Sequence, residues 1–159
     1  MDLKKFKNIF VATALIGAFL IFGAGTKNAH AGNLAKSAAY AGNSALSQGR
    51  SEYNGAYALI NSTRSTLYNF YYYMAQAKGN AYNAYYWASY SSASGASTAY
   101  TYARNAYRAF TSATNNAYAA YKYGNTGYIY YGMWYGGWGA YYIAIAEYYA
   151  AYYCYGGNY

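Results

Sequence analysis

Beyond residue 31 the chain has eight large aliphatic side chains, Leu34, Leu46, Leu59, Ile60, Leu67, Ile129, Ile143 and Ile145, and no valine. A conventional core is packed to near-crystalline density by Leu, Ile, Val and Phe. So few cannot fill one. Any packed interior must therefore set tyrosine against alanine, and the 29 tyrosines and absence of proline lie far outside ordinary globular usage. Alanine is the strongest helix former and tyrosine mildly prefers strands, so propensity divides the chain and spacing has to decide.

The spacing favours helix. Lys36, Arg50, Arg64 and Lys78 are each 14 residues apart, as are Leu46, Ile60 and Met74. Fourteen residues are two heptads. Alternating steps of four and three from Ala39 pass through Asn43, Leu46, Arg50, Tyr53, Tyr57, Ile60, Arg64, Leu67, Tyr71, Met74, Lys78, Ala81, Tyr85 and Ala88. That pattern predicts a 3.5-period seam with a cation at every fourth position. Ser37, Ser51 and Ser65 follow three of the cations and Gly79 follows the fourth, which is consistent with internal duplication.

Small residues over 91–97 predict a turn, after which Tyr100, Ala103, Tyr107, Phe110, Thr114, Tyr118 and Tyr121 step again by threes and fours. The stretch YGNTG breaks this second helix, and the Gly-aromatic segment 123–139 follows. We expect 123–139 to be irregular and 140–159 to form a short apolar helix or strand. The fold class expected is mainly α: two or three long Tyr/Ala-rich helices over 32–122, in a hairpin or bundle.

The first 31 residues have the layout of a signal peptide. A basic MDLKKFKN precedes an apolar run over 9–25, and Ala29 and Ala31 place cleavage after Ala31. The competing reading is an uncleaved anchor, since the run is nearly long enough to span a bilayer. Cleavage removes His30 and Asp2 and leaves Glu52 and Glu147 as the acids. Against them stand Lys36, Arg50, Arg64, Lys78, Arg104, Arg108 and Lys122, seven cations and two acids for a net +5. Such a balance suits anionic surfaces such as cell-wall polymers or lipid headgroups, but the cations are too dispersed for a nucleic-acid patch. Cys154 stands alone, so a disulfide could form only between chains, and the polar, glycine-bearing tail around it suggests exposure.

General acid–base and nucleophilic catalysis need groups that the chain beyond residue 31 lacks: it has no His and no Asp, and its one Cys has no basic partner. Ordinary metal-ligand sets are missing by count, and no glycine motif cradles a phosphate. We therefore expect no catalytic residue, no cofactor and no metal. What remains is tyrosine, whose ring pairs contribute about 0.5–1.5 kcal/mol beyond area burial, with cations able to sit over the rings.

Residues 128–142, YIYYGMWYGGWGAYY, carry the rings Tyr128, Tyr130, Tyr131, Trp134, Tyr135, Trp138, Tyr141 and Tyr142 among glycines. A patch of that kind usually marks contact or self-association. The expected function is an exported, non-enzymatic structural or surface-coat protein whose main partner is itself. One alternative is a secreted binding module that stacks Trp87, Trp134, Trp138 and tyrosines on cell-wall glycan or another anionic polymer. A membrane-active, toxin-like protein is a third.

Overall fold

The computed structural model describes residues 29–155, and all of their regular structure is helical. The four helices are α1 (Ala29–Ile60), α2 (Arg64–Ser89), α3 (Ala96–Tyr123) and α4 (Gly127–Tyr155). Each packs on its neighbours in chain order, α4 closes the ring against α1, and the diagonal pairs barely touch. Neighbours run antiparallel, as short connections require, giving an up-down-up-down bundle. Residues 1–28, which hold most of the expected signal peptide and the apolar run, lie outside the described residues, and Ala31 falls in the first turns of α1.

Three helix boundaries have a clear local cause. At the start of α2, Thr63 and Thr66 form a reciprocal cap: the Thr66 backbone N–H donates to Thr63 Oγ1 at 3.2 Å, and the Thr63 N–H donates to Thr66 Oγ1 at 3.0 Å. Gly95 (φ 79°) and Gly124 (φ 64°) flank α3 in the left-handed conformation that glycine adopts without strain. At Gly95 a side chain would also run into the ring of Tyr153.

Two expectations are corrected here. The seam stepped from Ala39 to Ala88 as if unbroken, but the helix stops at Ile60 and restarts at Arg64, so 32–122 holds three helices and the fourth lies beyond it. The segment 123–139 is not irregular: α4 begins at Gly127 and runs through it, and the apolar tail continues the same helix. The turn expected over 91–97 and the break at YGNTG do separate helices.

The core explains how α4 tolerates its glycines. In every helix the buried positions step by threes and fours: Leu34, Ser37, Ala41, Ser44, Gln48, Ser51, Gly55 and Ala58 in α1; Leu67, Phe70, Met74, Ala77, Ala81, Ala84 and Ala88 in α2. Ala96, Ala99, Ala103, Ala106, Phe110, Ala113, Ala117 and Ala120 do the same in α3, and Ile129, Ile143, Ala146 and Ala150 in α4. Gly132, Gly136 and Gly139 complete the α4 row and are also buried. Each faces a large side chain: Gly132 meets Phe70, whose Cζ lies 2.8 Å from where a Cβ would be, Gly136 meets Gln48 and Met74, and Gly139 meets Phe110. A helical glycine costs about 1 kcal/mol relative to alanine. Here the missing Cβ is the socket that admits the few bulky residues.

The heptad pattern is real, but in α1 its burial is reversed. Leu46, Tyr53, Tyr57 and Ile60 all face outward, Ile60 at 87 % exposure, as do Asn43 and Arg50. The inner face is the small, partly polar row beside it. In α2 the expected seam is half right: Leu67, Met74, Ala81 and Ala88 are buried, while Tyr71, Lys78 and Tyr85 flank the core. Tyrosine is excluded from the centre because its hydroxyl needs a partner or water, which an alanine-lined interior does not supply.

Three inward serines bind α1 to α2. Ser37 Oγ donates to the carbonyl of Ala84 (2.8 Å), Ser44 Oγ to that of Ala77 (2.7 Å) and Ser51 Oγ to that of Phe70 (3.0 Å). Between α2 and α3, Thr114 Oγ1 donates to the Phe110 carbonyl of its own helix at 2.7 Å, with the Met74 carbonyl a longer second acceptor at 3.3 Å. Each carbonyl keeps its helical bond, so losing one hydroxyl strands no acceptor. Ser44→Ala should cost about 1 kcal/mol in urea unfolding.

Candidate aromatic contact surface

Because the interior is filled by small residues, the rings are displaced outward. Among the described residues sixteen tyrosines, with Trp134 and Trp138, are exposed. Of the eight rings singled out in 128–142, seven are exposed on α4: Tyr128, Tyr130, Tyr131, Trp134, Tyr135, Trp138 and Tyr141. Tyr142 is half-buried, 6.4 Å from the Tyr102 ring of α3 and stacked at 6.1 Å on Trp138.

Other rings pack between helices within the chain, at the edge of the core and not in its interior as the composition suggested. Between α2 and α3, Tyr68, Tyr71, Tyr118 and Tyr121 form one group, with Tyr68–Tyr121 at 5.5 Å and Tyr71–Tyr118 at 5.4 Å. Tyr82, Tyr85, Tyr100 and Tyr107 form a second, with Tyr82–Tyr107 at 5.8 Å and Tyr85–Tyr107 at 5.7 Å. Desolvation raises the Tyr85 hydroxyl pKa above its ordinary value, with neighbouring phenols adding to the shift and Arg104 opposing it. The seven-residue spacing Tyr100–Tyr107 and the three-residue spacings Tyr68–Tyr71, Tyr82–Tyr85 and Tyr118–Tyr121 were the available signal, obscured by the abundance of tyrosine elsewhere.

Three of the four cations of the 14-residue repeat lie over rings of a neighbouring helix. Lys36 Nζ is 4.1 Å from the centroid of Trp87, Arg50 Cζ 5.9 Å from Tyr73, and Arg64 Cζ 5.4 Å from Tyr121. Lys78 is half-buried beside Tyr71 and Tyr85 in the helical column, and no ring lies under its ammonium. In α1 the repeat thus has a physical reading: the cation reaches out over an aromatic of α2, and the serine after it turns inward to an α2 carbonyl. Lys122 Nζ lies 5.3 Å from Tyr123.

The two acids are both inside. Glu52 accepts a hydrogen bond from Gln48 Nε2 at 2.9 Å; burial raises its pKa, and that bond only partly opposes the shift. Glu147, 6 % exposed, points at the Gly42 backbone of α1, its Oε2 has no hydrogen-bond partner, and burial pushes its pKa up to about 7. Sequence reasoning placed neither residue in the interior, since isolated glutamates are usually at the surface. With both acids inside, the exposed charges among the described residues are all positive.

Cys154 is half-buried beside the cluster of Leu34, Ala99 and Ala150, and not exposed as expected; burial raises its thiol pKa and so lowers its thiolate fraction. No three of His, Cys, Asp and Glu come together as a metal site among the described residues, and no described helix is long and apolar enough to cross a membrane. Comparison of the chain with protein-family models, curated proteins and solved structures gives no match.

Proposed function

We propose that this is an exported, non-enzymatic structural or surface-coat protein that associates with copies of itself through its exposed aromatic side chains. The observation that carries the reading is the combination of a sealed small-residue core with an outer surface rich in tyrosine and tryptophan. Exposed apolar area on that scale is usually a contact surface, and Tyr and Trp supply large contact area with few rotatable bonds. The signal-like residues 1–31 supply the export part of the proposal.

A second reading, binding of an anionic cell-wall polymer, draws on the wholly positive exposed charge. It changes in one respect from the sequence expectation. The Trp87 face is occupied by Lys36, which leaves Trp134 and Trp138 as the tryptophans for stacking on sugar.

The test is to isolate the chain from its cells. Its intact mass should correspond to a start at Gly32, and its sedimentation coefficient should rise with concentration in the micromolar range. Retention of Met1 would overturn cleavage and export by this route. A single monomeric species up to about 100 μM, weaker than the usual range for specific association, would overturn self-association.

A further inference from the structure

Helix α4 differs from the other three. Its inner face follows 129, 132, 136, 139, 143, 146 and 150, and its outer face repeats the same three-four rhythm at 131, 134, 138, 141, 145, 148 and 152. Except for the half-buried Ile145, every residue of that second series is an exposed ring. The helix is therefore apolar or aromatic around its whole circumference, as expected of a helix with partners on all sides. Within the chain it has partners only on the side of α1 and α3.

We propose that the outer stripe of α4, made by Tyr131, Trp134, Trp138, Tyr141, Tyr148 and Tyr152, seats on the same stripe of a second copy of this chain in an antiparallel, two-fold pairing. This rests on the self-association reading above and names its surface. Three observations select a second copy as the occupant.

The first is charge. α1 carries exposed Lys36 and Arg50, α2 exposed Arg64, and α3 exposed Arg104, Arg108 and Lys122. α4 has no Lys or Arg, and its one acid, Glu147, is buried. It is the one described helix that can approach itself without setting like charges against each other, whereas an anionic polymer would find no counter-charge there.

The second is area. The six rings are each roughly half exposed, from Trp138 at 47 % to Trp134 at 65 %. At about 150–250 Å² per aromatic side chain, they and the flanking Tyr130 and Tyr135 offer on the order of 800 Å² per copy. That is about the area each partner contributes to a stable dimer.

The third is symmetry. A two-fold axis near Tyr141 sets Tyr131 against Tyr152, Trp134 against Tyr148, Trp138 against Ile145 and Tyr141 against its own copy, so rings meet rings at three of the four pairings of an isologous, closed contact. The adjoining column of Gly137 and Ala144 is small, and apart from its sequence neighbours and the backbone of its own helix no atom of the described residues lies within 4 Å of where a Gly137 side chain would begin. The backbones can therefore approach closely on that side.

Sedimentation velocity on the isolated chain, a Trp134→Lys/Tyr148→Lys variant and a Tyr90→Lys/Tyr123→Lys control tests the stripe, with circular dichroism reporting helix content. The α4 variant should raise the dimer dissociation constant at least about tenfold, as loss of central aromatic anchors does, and the control should leave it within about twofold. If the lysine pair lowers helicity, Trp138→Gln/Tyr141→Gln, which adds no charge, should weaken association in the same direction. Should the parent assemble and both α4 variants assemble equally well, the stripe is overturned while self-association stands. A parent that never assembles overturns both.

Orientation is tested separately by Tyr141→Cys in a Cys154→Ser background under oxidised glutathione. A covalent dimer is expected from that variant and not from Trp134→Cys in the same background. The reverse result overturns the two-fold pairing.

Discussion

Phe70→Ala is expected to cost the bundle about 3–5 kcal/mol, near the upper end for a large-to-small core change. Phe70 is fully buried, and its ring is held against two backbones. Its Cδ2 lies 3.0 Å from the would-be Cβ of Gly55 on α1, and its Cζ 2.8 Å from that of Gly132 on α4. The cost of a core truncation depends on how far the surroundings can relax into the space. Glycines have no side chain to swing in, and the neighbouring helices are already at close approach, so the cavity should persist. Against a total stability of about 5–15 kcal/mol, the variant should show a much lower urea midpoint. Tyr72→Ala, at an exposed ring stacked 6.1 Å from Tyr68, should cost less than about 1 kcal/mol. A Phe70→Ala loss no larger than that of Tyr72→Ala would mean that the phenylalanine does not fill the space between the helices.

The second large effect is a stability that falls as pH rises. Glu147 has a pKa of about 7 in the folded chain, against 4.5 for the ordinary value, because burial disfavours its charged form and Oε2 has no hydrogen-bond donor. Between those values the folded state holds a proton that the unfolded state has released. The contribution is therefore complete below about pH 4.5 and is lost as pH climbs through about 7. At 1.36 kcal/mol per unit, the loss from this residue is about 3 kcal/mol. Glu52, raised for the same reason, acts with the same sign.

Urea midpoints should therefore decline from pH 4.5 to pH 8. Glu147→Gln should remove most of the slope and stabilise the chain at pH 8, while leaving it nearly unchanged at pH 4.5. A flat profile in the parent chain, or an unchanged slope in Glu147→Gln, would show that the carboxyl is solvated.

The helical class, the turn near 91–97 and the break at YGNTG were legible because alanine content, small-residue clusters and glycine act locally. The inner face of α1 was not. Its serines, alanines, Gln48 and Gly55 carry almost no hydrophobic signal, while Leu46, Tyr53 and Tyr57 on the outer face carry a strong one. A search for large apolar residues at heptad spacing therefore finds the heptad and assigns it to the wrong side. The break at 61–63 was visible as two threonines three apart, a capping pattern overridden by a seam that happened to continue in register. The run through 128–142 looked irregular because glycine opposes helix locally. What reverses that preference is Phe70, Met74 and Phe110, 29 to 62 residues from the glycines they meet and invisible to any local pattern. Seven of its eight rings are exposed; the sequence could not tell that Tyr142 turns toward α3.

The serine ladder has one further consequence. Its donors at 37, 44 and 51 and its acceptors at 84, 77 and 70 are evenly spaced, so sliding α2 along α1 by one heptad would still satisfy two of the three bonds. Hydrogen bonding alone therefore leaves the alignment nearly degenerate, like a ruler with identical marks. The degeneracy is broken by Phe70, which fits between Gly55 of α1 and Gly132 of α4 at a single setting, as Phe110 over Gly139 fixes α3 against α4. A chain stripped of both phenylalanines should keep its helices yet sample several offsets, visible as broadened side-chain resonances with undiminished helical dichroism.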